Sequence, residues 1–458
     1  MIVLKFGGTS VADLTAIDRA VSIVRSRLAR APVVVVSALA GTTNALLKAA
    51  HDAARGDRAA AREALATLRD RHLAIMELLV RRDPMAYEAG LEVDRTCDAL
   101  VGLAEALAIL GHVTPRSLDA VAAYGELLST TVVTAAMRAT GIRAEAVDAR
   151  KVIISDDRFT RAAPLPDAIA DAAGEVLRPL VETGRIPVLG GYIGSTADGV
   201  TTTLGRGGSD LSAALIGAAL DAEAIEIWTD VDGMLTVDPK IDPCARTIDH
   251  IRFDEAAELA AFGARVLHPA TIAPAMRKGI PVRVLNSFRP EARGTRITAT
   301  APVLPVRAIA GRDDVTVIKV RSSAMLMAHG FLRALFDVFE RYGTSVDVVA
   351  TSEVSVSVTV DALAPVESIA ADLASLGEVM VERGRAVIAV VGAGLGGDST
   401  IMARALDALD GLRVHMISVS ASEINLTLVV DAERLRPAMS ALHATFFGGL
   451  PPGAAAAA

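Results

Sequence analysis

The sequence predicts an α/β protein: a central, mainly parallel sheet sandwiched by helices, followed by two ferredoxin-like α+β units. Three observations carry this expectation. From Met1 to about Thr298 short apolar runs alternate with amphipathic helical periods, as in a sheet covered by helices. Between Thr298 and Val315 that alternation lapses, and Pro302 and Pro305 disfavour helix. Beyond it a pattern recurs at an offset of 70 residues, 352–361 matching 422–431 with the same apolar and polar alternation.

In the first region strands are expected at 2–6, 33–37, 187–191, 224–229 and 282–286, each an apolar run closed by a turn-forming residue. Asp13 is placed to cap a helix whose Ile17, Ala20, Val21, Val24 and Leu28 share one face. The Ala/Leu/Arg-rich stretch 58–111 reads as a helical subdomain. In the repeat, each copy has a helix ending at a glycine (331–343 and 401–411) and then a strand (346–351 and 414–420), which is split-βαβ order. The expected domains are 1–298, 315–384 and 385–447, with 448–458 a disordered Pro-Pro and poly-Ala tail.

Composition narrows the function. The chain has 458 residues, a formal charge of −8, 52% apolar and 3% aromatic residues, which suits a soluble multi-domain protein and argues against sustained nucleic-acid binding. Two distant cysteines, Cys97 and Cys244, give neither a disulfide framework nor a zinc site and suit a reducing cytoplasm. The N-terminal apolar run is too short for a signal peptide, and no uninterrupted run of about 18 apolar residues marks a membrane span.

Two loops point to phosphate chemistry. Lys5-Phe6-Gly7-Gly8-Thr9-Ser10 puts a lysine at a strand end and two glycines before a helix; glycines let N–H groups approach an anion, and a helix start adds positive potential. The same residues also suit an ordinary βα turn. The run 201–210 again opens a helix with glycines and adds Arg206, a planar fork for a carboxylate, beside Ser209 and Asp210. Trp228-Thr229-Asp230 ends a buried strand, where ligand crevices form in open α/β sheets, and its acids equally suit plain turns. Thr43 after the second strand and Glu126 in Tyr124-Gly125-Glu126 read as helix starts, where such groups usually cap. The Gly392–397 run fits a dinucleotide fingerprint, but the next strand ends in serine, so it is assigned to the repeat. The eight histidines show no metal or triad spacing, and no metal site is expected.

Taken in order, the motifs at 5–10, 124–126, 203–210, 228–231 and 262–269 resemble aspartate kinase over nearly the whole chain. The C-terminal copies resemble paired ACT domains, and 351–356 is similar to the effector segment of the lysine-sensitive, single-function branch. The resemblance implies the amino-acid-kinase fold and phosphorylation of the L-aspartate β-carboxylate by ATP with Mg²⁺, the first step toward lysine, threonine and methionine. By the same resemblance Lys5 and Asp210 are catalytic, and Thr43, Glu126, Arg206, Gly207, Gly208 and Ser209 bind substrate. Lys5, Phe6, Gly7, Gly8, Thr229, Asp230, Leu235, Lys240, Arg265 and Val266 fall where relatives contact ATP. Leu235, Arg265 and Ala328 stand where that branch has tyrosine, lysine and serine. Met325, Phe331, Leu332, Ser345, Val346, Asp347, Thr351 and Glu353 are the effector positions, with L-lysine the expected effector and a homodimer or larger homo-oligomer the expected assembly. The alternatives are a kinase for another acceptor and a catalytically silent amino-acid sensor.

Overall fold

The computed structural model describes residues 1–263, 267, 269–326, 329–395 and 397–448, so the expected tail beyond Gly448 lies outside the described residues. Along the chain run β1 (Ile2–Phe6), α1 (Leu14–Ser26), β2 (Pro32–Val36), α2 (Thr42–Ala54), α3 (Arg58–Arg82), α4 (Tyr87–Leu110) and α5 (Pro115–Arg138). There follow β3 (Ala144–Val147), α6 (Pro166–Val176), α7 (Arg178–Glu182), β4 (Ile186–Gly190), β5 (Ile193–Ser195), β6 (Thr201–Thr203), α8 (Gly208–Ala219) and β7 (Ala224–Thr229). Next come β8 (His250–Arg252), α9 (Phe253–Ala261), α10 (Pro269–Lys278), β9 (Val282–Asn286), β10 (Thr295–Thr298) and β11 (Ala308–Arg321). The chain closes with α11 (Phe331–Arg341), β12 (Val349–Thr351), β13 (Ser355–Asp361), α12 (Val366–Leu373), β14 (Glu378–Val391), α13 (Ser399–Asp407), β15 (Val414–Val419), β16 (Asn425–Asp431) and α14 (Leu435–Phe447).

Two compact units result: Met1–Met234 with Val266–Ala299, and Leu235–Arg265 with Thr300–Ala458. In the first, strands follow the order β3-β4-β2-β1-β7-β9-β10. All these pairs are parallel except β9 with β10. Every residue of β1, β2 and β4 is buried, as expected of strands covered on both faces. In register, Phe6 faces Val36 and Trp228, and Val36 faces Gly190, so the loops leaving β1, β2, β4 and β7 open at one edge. That edge is where a parallel sheet presents ligand-binding groups.

Helix α1 begins where expected, with the Asp13 carboxylate accepting from the Ala16 amide at 2.8 Å. Leu28 falls beyond its end and is exposed. Tyr124-Gly125-Glu126 does not open a helix; it lies in the middle of α5, which starts at Pro115 behind a reciprocal Thr114–Ser117 cap. Serine in place of Glu at the third helical position hides that cap in the sequence. By length and composition α5 is apolar enough to cross a membrane, yet 78% of its most apolar window is buried inside the protein.

The second unit carries a sheet in the order β12-β13-β11-β14-β16-β15. The 70-residue offset recurs in its geometry: β11 becomes β14 and β13 becomes β16 at that spacing. Each copy buries its own core, Leu335, Phe339, Val358 and Ile369 in one, Ile388, Leu428, Met439 and Leu442 in the other. The long strands serve both copies, because 308–312 pair with the 387–391 end of β14 and 315–321 with its 378–385 end across a bulge. The expected irregular stretch 298–315 is therefore strand from Ala308 onward, which small and charged residues there conceal.

Segment 235–265, expected with the first region, belongs to the second unit. Val237 is part of the core of the second copy, and the Thr236 carbonyl accepts from the Ile309 amide at 2.7 Å. Replacing the α1 cap, Asp13→Ala, is expected to cost about 1 kcal/mol in denaturant unfolding without changing catalysis.

Candidate active site

A cleft of about 720 Å³ opens at the carboxyl edge of the first unit's sheet, lined by Lys5, Gly8, Thr43, Glu126, Arg206 and Asp210 among others. Lys5, on the central strand, is 8% exposed. Its ammonium lies 2.7 Å from the Asp210 carboxylate in the first turn of α8. An ammonium so far out of water needs a counter-charge, and Asp210 supplies it. No side chain caps α8; the Gly208 amide donates to the Gly205 carbonyl and the Asp210 amide to the Gly207 carbonyl, each at 3.0 Å, which leaves the Ser209 amide in the first turn. That amide and the helix dipole together favour an anion there.

The glycines act differently from the expectation. The Gly7 amide donates to the Trp228 carbonyl at 3.0 Å and is thereby occupied. A Cβ on Gly8 would stand 2.8 Å from the Ala38 carbonyl oxygen, so glycine here lets the loops after β1 and β2 touch. Phe6 is fully buried and stacks on Trp228 at 6.4 Å, which makes it core and not lining.

Across the cleft α5 presents Glu126. One carboxylate oxygen accepts from the Ala38 amide at 3.2 Å, and the other is buried without a partner. Burial raises its pKa to about 8 against the pull of that amide. A Cβ on Gly190 would stand 2.7 Å from the Glu126 Cβ, so glycine at the end of β4 makes room for this side chain. Two turns earlier on α5, the buried Asp119 accepts from the Thr160 amide at 2.8 Å, the Thr203 amide at 3.0 Å and the Thr203 hydroxyl at 2.6 Å. It ties the Thr160 loop and β6, which leads to Arg206, to the helix bearing Glu126.

The structure thus gathers Lys5, Gly8, Thr43, Glu126, Arg206, Gly207, Gly208, Ser209 and Asp210 around one cleft. Thr160 and Tyr192 also line it and were missed by sequence reasoning. Their signal was conformational: both have positive φ, 71° and 65°. Thr229 and Asp230 lie at the same sheet edge but do not line this cleft, and the Thr229 hydroxyl donates to Asp230 at 3.1 Å. Leu235 and Lys240 belong to the second unit. Arg265, Val266 and Ala328 lie outside the described residues.

The effector positions gather in the first copy of the repeat. A bond from the Ser322 amide to the Val354 carbonyl, 2.9 Å, sets the Met325 turn beside the turn carrying Thr351 and Glu353. The second copy repeats it from Gly392 to Ile424 at 3.0 Å. Met325, Phe331 and Val346 pack on the local core, while Leu332, Ser345, Asp347, Thr351 and Glu353 are exposed. Asp347 is ion-paired with Arg312.

Comparison with family models matches residues 1–286 to the amino acid kinase family and residues 388–446 to the ACT domain. Lysine-sensitive aspartokinase 3 of Escherichia coli is 39% identical over 456 residues, covering 98% of this chain and 99% of that protein. The chloroplastic aspartokinase 3 of Arabidopsis thaliana is 37% identical over 464 residues, covering 97% and 81%. The crystal structure of E. coli aspartokinase III with aspartate and ADP (R-state) is similar with a TM-score of 0.85 at 39% identity, covering 98% of this chain and 100% of that one. Its complex with lysine and aspartate (T-state) gives 0.80 at 38%, covering 98% and 99%.

A carboxyl group whose folded pKa lies above its unfolded value binds more protons in the folded state, so stability falls as pH rises through that window. For Glu126 the window runs from the ordinary glutamate value of 4.5 to about 8. Substrate-free Glu126→Gln is therefore expected to exceed the parent in thermal midpoint at the top of that window, with the advantage vanishing toward its lower end.

Proposed function

We infer the function from one premise, that the chain belongs to the aspartokinase family of amino acid kinases. It is an aspartate kinase, transferring the γ-phosphoryl group of ATP to the β-carboxylate of L-aspartate to give 4-phospho-L-aspartate. The observation that carries this reading is the cleft in which the Lys5–Asp210 pair, the uncapped start of α8, Arg206 and the unpartnered oxygen of Glu126 converge.

The acceptor carboxylate is ionised at neutral pH, so the reaction needs no general base. Its obstacle is the approach of two anions, which positioning and fixed positive charge overcome. Lys5 and the positive end of α8 stabilise charge on the transferring group, and Asp210 holds the ammonium in place. Arg206 takes the substrate α-carboxylate as a planar fork, and Glu126 takes its ammonium, aided by Thr43 and Ser209. Pairing with that ammonium favours the ionised form of Glu126, which burial by itself disfavours. Gly207 and Gly208 give the substrate room.

ATP is read by Lys5, Gly7, Gly8, Thr229, Asp230, Leu235, Lys240, Arg265 and Val266, with Gly7 contributing space and Phe6 backing the loop from the core. Mg²⁺ would arrive with the triphosphate as part of the co-substrate and supply further positive charge there. The catalytic role falls to the first unit, Met1–Met234 with Val266–Ala299, and regulation to the two ACT-like copies of the second. L-lysine is the effector, held among Met325, Phe331, Leu332, Ser345, Val346, Asp347, Thr351 and Glu353. The chain works as a homodimer or larger homo-oligomer in the cytoplasm, where its two free cysteines remain reduced.

Hydroxylamine trapping with ATP, Mg²⁺ and aspartate is expected to yield aspartyl hydroxamate; no trapped product would leave a silent sensor. Arg206→Ala is expected to raise KM for aspartate about tenfold to a hundredfold with KM for ATP little changed. Millimolar lysine is expected to lower the rate and raise the thermal midpoint; no response in either measurement removes the effector assignment.

A further inference from the structure

Residues 235–246 read Leu-Thr-Val-Asp-Pro-Lys-Ile-Asp-Pro-Cys-Ala-Arg, with two Asp-Pro turns and no regular strand of their own. Such a segment takes its shape from whatever it is fastened to. Here the anchor is α14, the last helix of the second ACT-like copy.

The fastening centres on His443, whose side chain is 3% exposed. Its Nδ1 stands 2.8 Å from an Asp242 carboxylate oxygen and its Nε2 2.9 Å from the Thr236 hydroxyl. The Asp242 carboxylate assigns the ring proton to Nδ1, so Nε2 accepts from the Thr236 hydroxyl. That hydroxyl oxygen in turn accepts from the Arg246 amide at 3.0 Å, and the other Asp242 oxygen accepts from the Cys244 amide at 2.8 Å. Each polar side-chain atom of Thr236, Asp242 and His443 has a partner, which lets a buried polar network specify one geometry. The order Asp-His-Thr resembles a hydrolytic relay. Thr236 is itself buried and its hydroxyl is committed at both ends, which gives a fastener and no nucleophile.

Further bonds follow the same helix. Arg436 donates to the Lys240 carbonyl at 3.2 Å, Ser440 to the Ile241 carbonyl at 3.4 Å and Arg246 to the Phe447 carbonyl at 3.1 Å. Val237 is buried in the core of that copy, and Ile241 packs against it. The backbone of Lys240 is thus set by α14, while its side chain remains exposed.

We propose that His443, with Asp242 and Thr236, is a positioning residue for nucleotide binding, fastening the Leu235–Lys240 segment to the last helix of the regulatory repeat. The inference rests on the reading of Leu235 and Lys240 as ATP contacts. It makes nucleotide affinity depend on the packing of a regulatory helix, through bonds that touch neither substrate.

The test is steady-state kinetics on the full-length enzyme, with ATP and aspartate varied in turn. Thr236→Val keeps the shape and deletes the hydroxyl; KM for ATP should rise about three- to tenfold while KM for aspartate and kcat stay within about twofold. Thr236→Ser restores the hydroxyl and should restore KM for ATP. His443→Ala should act in the same direction and more strongly. Lys240→Ala reports on the underlying reading. A raised KM for ATP in Lys240→Ala with no change in Thr236→Val and His443→Ala overturns the fastening role alone; no change in Lys240→Ala overturns both. Equal losses of affinity for the two substrates would indicate general loosening and also overturn the proposal.

Discussion

The Lys5 ammonium, almost wholly removed from water on the central strand of a parallel sheet, stands 2.7 Å from a carboxylate on the helix that opens the facing loop. Burial of a cation is costly unless a partner and a reason keep it there. Asp210 is the partner, and the approach of two anionic reactants is the reason. The remaining site residues are arranged around that charge. The start of α8 lies beside it, Arg206 adds a planar cation, and Glu126 brings a buried carboxyl group across the cleft. This layout complements a triphosphate and an amino acid bearing two carboxylates and one ammonium.

Rigidity comes from groups that touch no reactant. Asp119 binds the Thr160 loop and β6 to α5, and a glycine at the end of β4 allows that helix to bring Glu126 against the sheet. Two non-glycine residues that line the cleft, Thr160 and Tyr192, have positive φ. Such conformations persist where the surroundings over-determine them. For Thr160 the surroundings include Asp119, and for Tyr192 the Ser212 hydroxyl, which accepts from its amide at 3.0 Å.

The regulatory unit is built by repetition, yet its two copies are not separable along the chain. Strands β11 and β14 each run through both, and the bulge in β11 near Asp314 marks where its pairing shifts. Arg312, at that bulge, pairs with Asp347 and Asp361. Asp347 and Asp361 of the first copy are thus ion-paired to a strand shared with the second copy, whose core also takes in α14 and Val237.

Local patterns in the sequence determined much of this protein. Apolar runs located β1, β7 and β9 to the residue, Asp13 located the start of α1, and the offset of 70 located the repeat. Each of these depends on periodicity or capping among neighbouring residues. The glycine loops likewise located two of the turns that border the cleft, because the residues forming them are contiguous. Only the tertiary structure decided that Glu126 sits mid-helix with an unpartnered oxygen, that the Gly7 amide is occupied by Trp228, and that Thr236, Asp242 and His443 meet. Those relations join positions tens to hundreds of residues apart, and their chemistry comes from burial and distance, neither of which is written in the local order of residues.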